Sequence, residues 1–218
     1  HEFFVLQRDI SGSPRYTGDE KRFCEALQDG PLGYAQAAQA VKKDVYNLRV
    51  GRLEREGVVM RCGLTPTDIM HLRGDFNRFP AEAARLGAQY VAVSLGMREA
   101  ELAERVYDAI SGRLYRCIAE MLLRENMPDL PDKGAQEALL ALTGRAWEMS
   151  QGRSAEHAKL GLTTPSALVG VGAPVHIFLP RVAQALGTRC VIPELAGVVN
   201  AVGAVAGNIT APTAFSIV

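Results

Sequence analysis

The spacing of apolar residues along the chain predicts a helix-rich α/β protein. Short apolar runs at residues 3–6, 58–60, 168–169 and 190–192 are typical of strands. Elsewhere apolar residues recur every three or four positions, which predicts helices over residues 18–28, 34–41, 45–56, 80–95, 98–126, 133–149, 175–186 and 196–207. The longest of these, 98–126, carries a wide apolar stripe that includes Cys117 and Met121, and we expect that stripe to be buried.

Two parts of the chain differ in layout. Residues 14–62 hold three short helices followed by a strand, which is the arrangement of a winged-helix module. We therefore predict a winged-helix-like module at 14–62 and a second domain made of 63–218 together with the strand in 1–12.

The composition narrows the classes of function. Among 218 residues, 24 basic side chains balance 24 acidic ones, which disfavours general attraction to nucleic acid or to an anionic membrane. No apolar run approaches the ~18 residues of a membrane span. The four cysteines are scattered without CxxC spacing, so we expect buried, reduced thiols in a cytoplasmic protein rather than disulfides or a zinc site.

The third predicted helix, 45–56, raises the question of DNA binding. It carries Arg49, Arg52 and Arg55, but Glu54 and Glu56 dilute the positive charge. Nucleic acid is therefore the less favoured partner.

Residues 63–71 offer a candidate catalytic pair. Thr65 has the position of a helix cap, with Pro66 after it and Asp68 where a carboxylate accepts backbone N–H bonds. Asp68 and His71 lie three residues apart and share a helix face, where a carboxylate can orient an imidazole. Capping alone also explains Asp68, and both interpretations stay open.

A glycine pair marks a candidate binding site. Gly170 and Gly172 follow the strand 168–169 and precede the helix 175–186, within a β-α-β unit that predicts two parallel strands. Ligands of open α/β sheets bind at the carboxyl ends of strands, where glycine leaves the backbone bare. A tight turn without any ligand is the alternative.

Three segments resemble the hydantoinase A type of subunit in the hydantoinase/oxoprolinase family. They are GLTPTDIMH (63–71), ALVGVGAPVHIFLPRVAQALG (167–187) and VIPELAGVVNAVGAV (191–205), in the order that the family has them. The resemblance covers roughly residues 60–215. It implies the actin-like, ribonuclease-H-type ATPase fold, with the winged-helix-like module as an insertion.

The family resemblance also implies an activity, the ATP-dependent opening of a cyclic amide such as a hydantoin or 5-oxoproline. ATP would phosphorylate the amide oxygen, and water would then cleave the C–N bond. The positions that match the adenosine-binding turn and the helix at the domain interface are Gly170, Gly172, Ala173, Pro174, Asn200 and Gly203. Asp68 and His71 are the candidate catalytic residues.

Two departures from the family limit this implication. The Asp-x-Gly-Gly/Thr loops that hold Mg²⁺ and the β- and γ-phosphates are missing from this sequence, so we expect no ATP turnover by these residues alone and assign no metal ligands. Val171 stands where many members have the middle of three glycines, which narrows the space beside an adenine.

The chain starts at His1 and ends in the apolar run 215–218, from which we expect it to be a piece of a longer polypeptide. The expected partners are then a cyclic amide, the missing N-terminal part of the same chain and a second hydantoinase subunit. The alternative is a non-catalytic binding or regulatory module that contacts a partner protein or DNA through residues 14–62.

Overall fold

The structure is a computed structural model that describes residues 2–127, 133–153, 157 and 159–207. It is a mixed helix and sheet protein, as the sequence predicts. The chain divides into two compact units, residues 1–104 and 105–218, whereas the sequence suggested a boundary at Gly63. The apolar run 215–218 lies outside the described residues. Within the described residues, no helix has both the length and the hydropathy needed to cross a membrane.

The first unit is built around a small antiparallel sheet. Its central strand β1 pairs on one side with β2 and on the other with β3, so that Phe3 lies opposite both Gly33 and Cys62. The described elements of this unit, in chain order, are β1 (Glu2–Leu6), α1 (Gly18–Ala26), β2 (Leu32–Gly33), α2 (Tyr34–Ala40), α3 (Gly51–Arg55), β3 (Val59–Gly63), α4 (Pro66–Arg73) and α5 (Glu82–Ser94).

The core of the first unit forms where β1 meets the three short helices. The Phe4 and Phe23 rings pack edge to face with centroids 5.5 Å apart, and both side chains are buried. α1 begins at this position because Thr17 and Glu20 form a reciprocal capping box.

The third predicted helix, 45–56, is broken in two. A short 3-10 helix covers Val45–Asn47, and α3 covers only Gly51–Arg55. Leu48 and Val50, which lie between them, are both buried. The helix is interrupted at Leu48, whose backbone is extended with φ −71° and ψ 111°. Residues two positions apart point to different sides of a helix, and the extended backbone lets both side chains enter the core.

The second unit contains a β-α-β arrangement, as predicted. β4 and β5 are parallel, with Leu168 opposite Cys190 and Val169 opposite Val191, and α8 connects them. A short 3-10 helix at Ala196–Val198 precedes the last described helix. The described elements are α6 (Glu99–Asn126), which begins in the first unit, α7 (Lys133–Ser150), β4 (Leu168–Val169), α8 (Val175–Ala185), β5 (Cys190–Val191) and α9 (Val199–Ala206).

The buried face of α6 differs from the one predicted. Cys117 and Met121 are exposed, whereas Leu102 of the predicted stripe is buried. Further buried residues of the helix include Tyr107, Ser111, Gly112, Tyr115 and Ala119. The face turns because Tyr115 packs against Trp147 of α7, at a ring distance of 5.4 Å. The prediction was therefore wrong for Cys117 and Met121 and is confirmed for Leu102.

All four cysteines are free, as predicted, but only Cys24 is buried. Cys117 is exposed, and Cys62 and Cys190 are half-buried. The expectation of four buried thiols therefore holds for one of them.

Candidate functional site

The glycine turn between β4 and α8 is fixed by its own backbone hydrogen bonds. The N–H of Gly170 donates to the carbonyl of Val191 in β5 at 2.9 Å. The N–H of Gly172 donates to the carbonyl of Ala196 at 2.7 Å, which connects the turn to the segment that leads into α9. Neither of these two amides is available to hold a phosphate.

Gly170 has a packing reason to be glycine. A Cβ at this position would lie 2.7 Å from Cδ2 of Leu179 and 3.2 Å from Cβ of Val175. Carbon atoms do not approach so closely without a shift of the neighbouring group. Gly170 therefore allows α8 to lie directly against β4, and this explanation needs no ligand.

Gly172 has a different reason. Its φ is +106°, in the region that side chains disfavour, and no atom lies within 4 Å of the place of a Cβ. The backbone here is strained for any other residue and is open to the surroundings. Ala173 and Pro174 are exposed beside it, and Val171 is half exposed.

The segment that follows β5 is apolar and bare. Residues 195–207 include no charged side chain. None of the residues of α9 is buried, and Val205 is 90% exposed. Asn200 and Gly203 are exposed on this helix. A helix that is apolar on all sides is normally buried, so this surface has the character of an interface.

The bare surface extends onto the small parallel sheet. Val169 and Val191 lie opposite each other with their side chains exposed, while Gly170 contacts α8 on the other face. Parallel sheets are normally covered on both faces. Here the described residues cover one face.

An ionic cluster holds α8 in place. Asp108 of α6 accepts hydrogen bonds from Arg181 of α8 at 2.9 Å and from Arg153 at 2.6 Å. The guanidinium of Arg181 also lies 5.2 Å from the centroid of the Trp147 ring. Asp108 and Arg181 are 73 positions apart in sequence, so no local pattern indicated that they meet.

Asp68 acts as a helix cap. Its Oδ2 accepts bonds from the N–H and the hydroxyl of Thr65, each at 2.7 Å, and its own N–H donates to Oγ1 of Thr65 at 3.3 Å. This is the capping box that the sequence suggested at the start of α4.

His71 is buried with both ring nitrogens bonded to the main chain. Nδ1–H donates to the carbonyl of Thr67 at 2.8 Å, and Nε2 accepts from the N–H of Phe79 at 3.2 Å. These two bonds require a neutral ring with its proton on Nδ1. The Phe76 ring meets the imidazole edge to face, and the Phe79 ring stacks on it.

The described hydrogen bonds therefore do not connect Asp68 to His71, although both lie on α4. Each makes bonds with a structural purpose, and their catalytic role stays a prediction. They belong to the first unit, whereas the glycine turn and α9 belong to the second. Within the second unit, the bond from Gly172 to Ala196 connects the glycine turn to the 3-10 helix that precedes α9, the helix of Asn200 and Gly203.

Two arginines of the first unit each contact two carboxylates. Arg52 contacts Glu20 and Glu56, and Arg61 contacts Glu2 and Glu54. Hydrogen bonds from Tyr16 and from Arg52 lower the pKa of Glu56. In the parts of the chain that the structure describes, no three His, Cys, Asp or Glu side chains are grouped to hold a metal ion.

Comparisons of the sequence with family models and curated proteins, and of the fold with solved structures, found no match.

Proposed function

We propose that this chain is part of an ATP-dependent cyclic amide hydrolase of the hydantoinase or 5-oxoprolinase type, and that it carries the adenosine side of the nucleotide cleft. The observation that carries the proposal is Gly172. It lies beyond the carboxyl end of a parallel strand with a left-handed φ and open space above it.

The hydrogen bonds of the turn favour a ring over a phosphate as the occupant. Because the amides of Gly170 and Gly172 are already bonded to Val191 and Ala196, the open feature of the turn is the backbone at Gly172. Such a surface suits the face of a purine. The β- and γ-phosphates and Mg²⁺ would be held by the actin-like loops that this sequence does not contain.

The exposed apolar surface of β4, β5 and α9 favours a further polypeptide segment that covers it. In the proposed protein it is covered by the N-terminal part of the same polypeptide, which would close the cleft over the nucleotide. Asn200 and Gly203 would then lie at that interface. A second hydantoinase subunit would complete the enzyme.

Adenosine binding tests the proposal without requiring turnover. Titration calorimetry with adenosine and ATP should detect weak binding by the 218-residue chain, and Val171→Gly should strengthen it by removing the side chain beside the turn. Gly172→Ala should weaken binding, because it adds a methyl group to the open backbone. Gly152→Ala is the matched control, since Gly152 also has a positive φ, of +69°, and a Cβ there also meets nothing within 4 Å.

The proposal fails if neither the natural chain nor Val171→Gly binds adenosine. It also fails if Gly172→Ala and Gly152→Ala bind equally well, because binding would then occur elsewhere.

A second candidate function is a binding module in the winged-helix-like segment. The observation that favours it is Tyr46, which is 94% exposed just before α3. Exposed tyrosine is typical of protein interfaces. DNA is the weaker partner, because α3 has five residues and so spans only about 7.5 Å. A gel-shift assay at physiological salt separates the cases: sequence-selective retardation would favour DNA over the enzyme.

A further inference from the structure

A cavity of about 290 Å³ lies in the first unit, between the start of α1 and residues 41–53. Its floor belongs to the hydrophobic core, since each apolar side chain that lines it is at most 9% exposed: Phe23, Val41, Leu48, Val50 and Leu53. The other lining residues are polar or charged and reach the surface, and they form the rim: Thr17, Asp19, Glu20, Lys43 and Arg49. An apolar base with a few polar groups at the opening is typical of a binding site for a small molecule.

Both carboxylates of the rim already have cationic partners. Lys43 forms an ion pair with Asp19, and its hydrogen bond lowers the pKa of that carboxyl. Glu20 lies 3.4 Å from the guanidinium of Arg52 and accepts a hydrogen bond from the N–H of Thr17 at 2.8 Å. A cationic ligand would have to displace one of these partners, whereas an anionic ligand would not.

Arg49 is the rim residue whose charge is not engaged. Within the parts of the chain that the structure describes, its guanidinium takes part in no ion pair or hydrogen bond. The backbone explains its exposure, because Leu48 and Val50 on either side both enter the core and an extended backbone sends the residue between them outwards. A guanidinium presents five N–H donors and can pair with a carboxylate or a phosphate through two parallel hydrogen bonds.

We propose that this cavity binds a small organic anion, with its carboxylate or phosphate on Arg49 and its apolar part on the floor. The charge of the ligand follows from Arg49, and its apolar part follows from the core side chains beneath the opening. Ligand sites usually measure ~300–1,000 Å³, so a cavity of about 290 Å³ suits a compact ligand with one ring rather than a nucleotide. Burial of the apolar part supplies affinity, and the ion pair fixes the orientation of the ligand.

This site is independent of the proposed function. The cavity lies in the first unit, whereas the glycine turn and α9 lie in the second. Substitutions at Arg49 should therefore leave adenosine binding unchanged, and Gly172→Ala should leave binding at the cavity unchanged. Failure of one proposal can thus be told apart from failure of the other.

Nuclear magnetic resonance titrations of the 218-residue chain test the proposal with matched probes. We expect phenylacetate or phenyl phosphate to cause saturable shifts of backbone amides in residues 41–53, and the tighter of the two is the preferred anion. Phenylacetamide keeps the ring without the charge, and acetate and inorganic phosphate keep the charge without the ring. Each of these three should bind at least about tenfold more weakly than the preferred anion.

Variants separate Arg49 from the general positive charge of this surface. Arg49→Ala should weaken binding of the preferred anion by about tenfold or more, because the charge-assisted hydrogen bonds are lost, and Arg49→Lys should keep part of the affinity. Arg55→Ala is the matched control, since Arg55 of α3 is also exposed and has no ion pair among the described residues, but does not line the cavity. Because Arg49 is exposed, its replacement should leave the circular dichroism spectrum unchanged.

The proposal is overturned if neither anion gives saturable shifts in residues 41–53. Equal binding of phenylacetamide would refute the role of the charge, and equal binding of acetate or inorganic phosphate would refute the role of the apolar floor. Binding that Arg49→Ala leaves unchanged, or weakens no more than Arg55→Ala does, would show that the anion is not held by Arg49.

Discussion

Gly112 in α6 provides a sharp test of how the second unit is packed. A Cβ at this position would lie 2.8 Å from Nε1 and 3.0 Å from Cδ1 of Trp147. The indole cannot easily move aside, because it is buried, packs on Tyr115 and lies beneath Arg181. We expect Gly112→Ala to destabilise the protein.

The magnitude follows from two opposing effects. Replacing glycine by alanine inside a helix gains about 1 kcal/mol of helix propensity. Forcing a methyl group into a packed core costs about 1–3 kcal/mol, and the rigid ring places this site at the upper end. The net loss in the free energy of unfolding should be about 2 kcal/mol.

Gly144 of α7 is the matched control. A Cβ there would meet only Cδ of Arg116 at 3.9 Å, which is an ordinary contact. Gly144→Ala should therefore keep the gain in helix propensity and stabilise the protein by up to about 1 kcal/mol. The two alanine variants are expected to shift stability in opposite directions.

Urea denaturation followed by fluorescence measures both shifts, since Trp147 is the single tryptophan of the chain. A double-mutant cycle with Trp147→Phe, followed by circular dichroism, assigns the cost to the indole. If Gly112→Ala proves as stable as Gly144→Ala, the close approach of Trp147 to α6 is refuted.

Three further predictions concern the first unit. His71→Ala should lower the free energy of unfolding by about 1–3 kcal/mol in urea denaturation, because it leaves the N–H of Phe79 unbonded; unchanged stability would show that these bonds contribute little. Asp68→Ala should cost about 0.5–2 kcal/mol through loss of the capping box, and a loss of helix content without any loss of stability would contradict this. Burial, with a smaller contribution from Glu20, raises the pKa of the Cys24 thiol from 9.0 to about 11. The free energy of unfolding should therefore be unaffected by this thiol below pH 9 and should fall by about 2 kcal/mol as the pH rises from 9 to 11. Urea denaturation at each pH measures this fall, and Cys24→Ala should lack it.

The β-α-β unit was predictable because its signals are local. An apolar pair, two glycines and a proline precede the helix 175–186, and a second apolar run follows it. The structure pairs Val169 with Val191 in parallel, as this order of elements requires. The third helix of the first unit was not predictable in the same way. There Leu48 and Val50 are two positions apart, which is typical of an extended backbone, and Val50 and Leu53 are three apart, which is typical of a helix. Only the packing of these side chains in the core selects between the two backbones.

The candidate site could be predicted in position but not in detail. The sequence placed Gly170 and Gly172 at the end of a strand, but it could not distinguish a glycine that admits α8 from one that needs a left-handed φ. That difference depends on Leu179, which approaches Gly170 only after the helix has packed on the strand. His71 is a similar case, because one of its two partners is the N–H of Phe79, eight residues away.

The exposed segment after β5 gives the strongest argument that the second unit works with another polypeptide. An isolated helix of eight residues is marginal in water, and Gly203 weakens α9 further. Its valines would each contribute about 1.5–3 kcal/mol on complete burial, but Val205 is 90% exposed and gains almost nothing. The small residues that make α9 unstable as an isolated helix also permit the close approach of another element. The proposed nucleotide cleft accounts for both properties, since its second wall would bury α9 and close over Gly172.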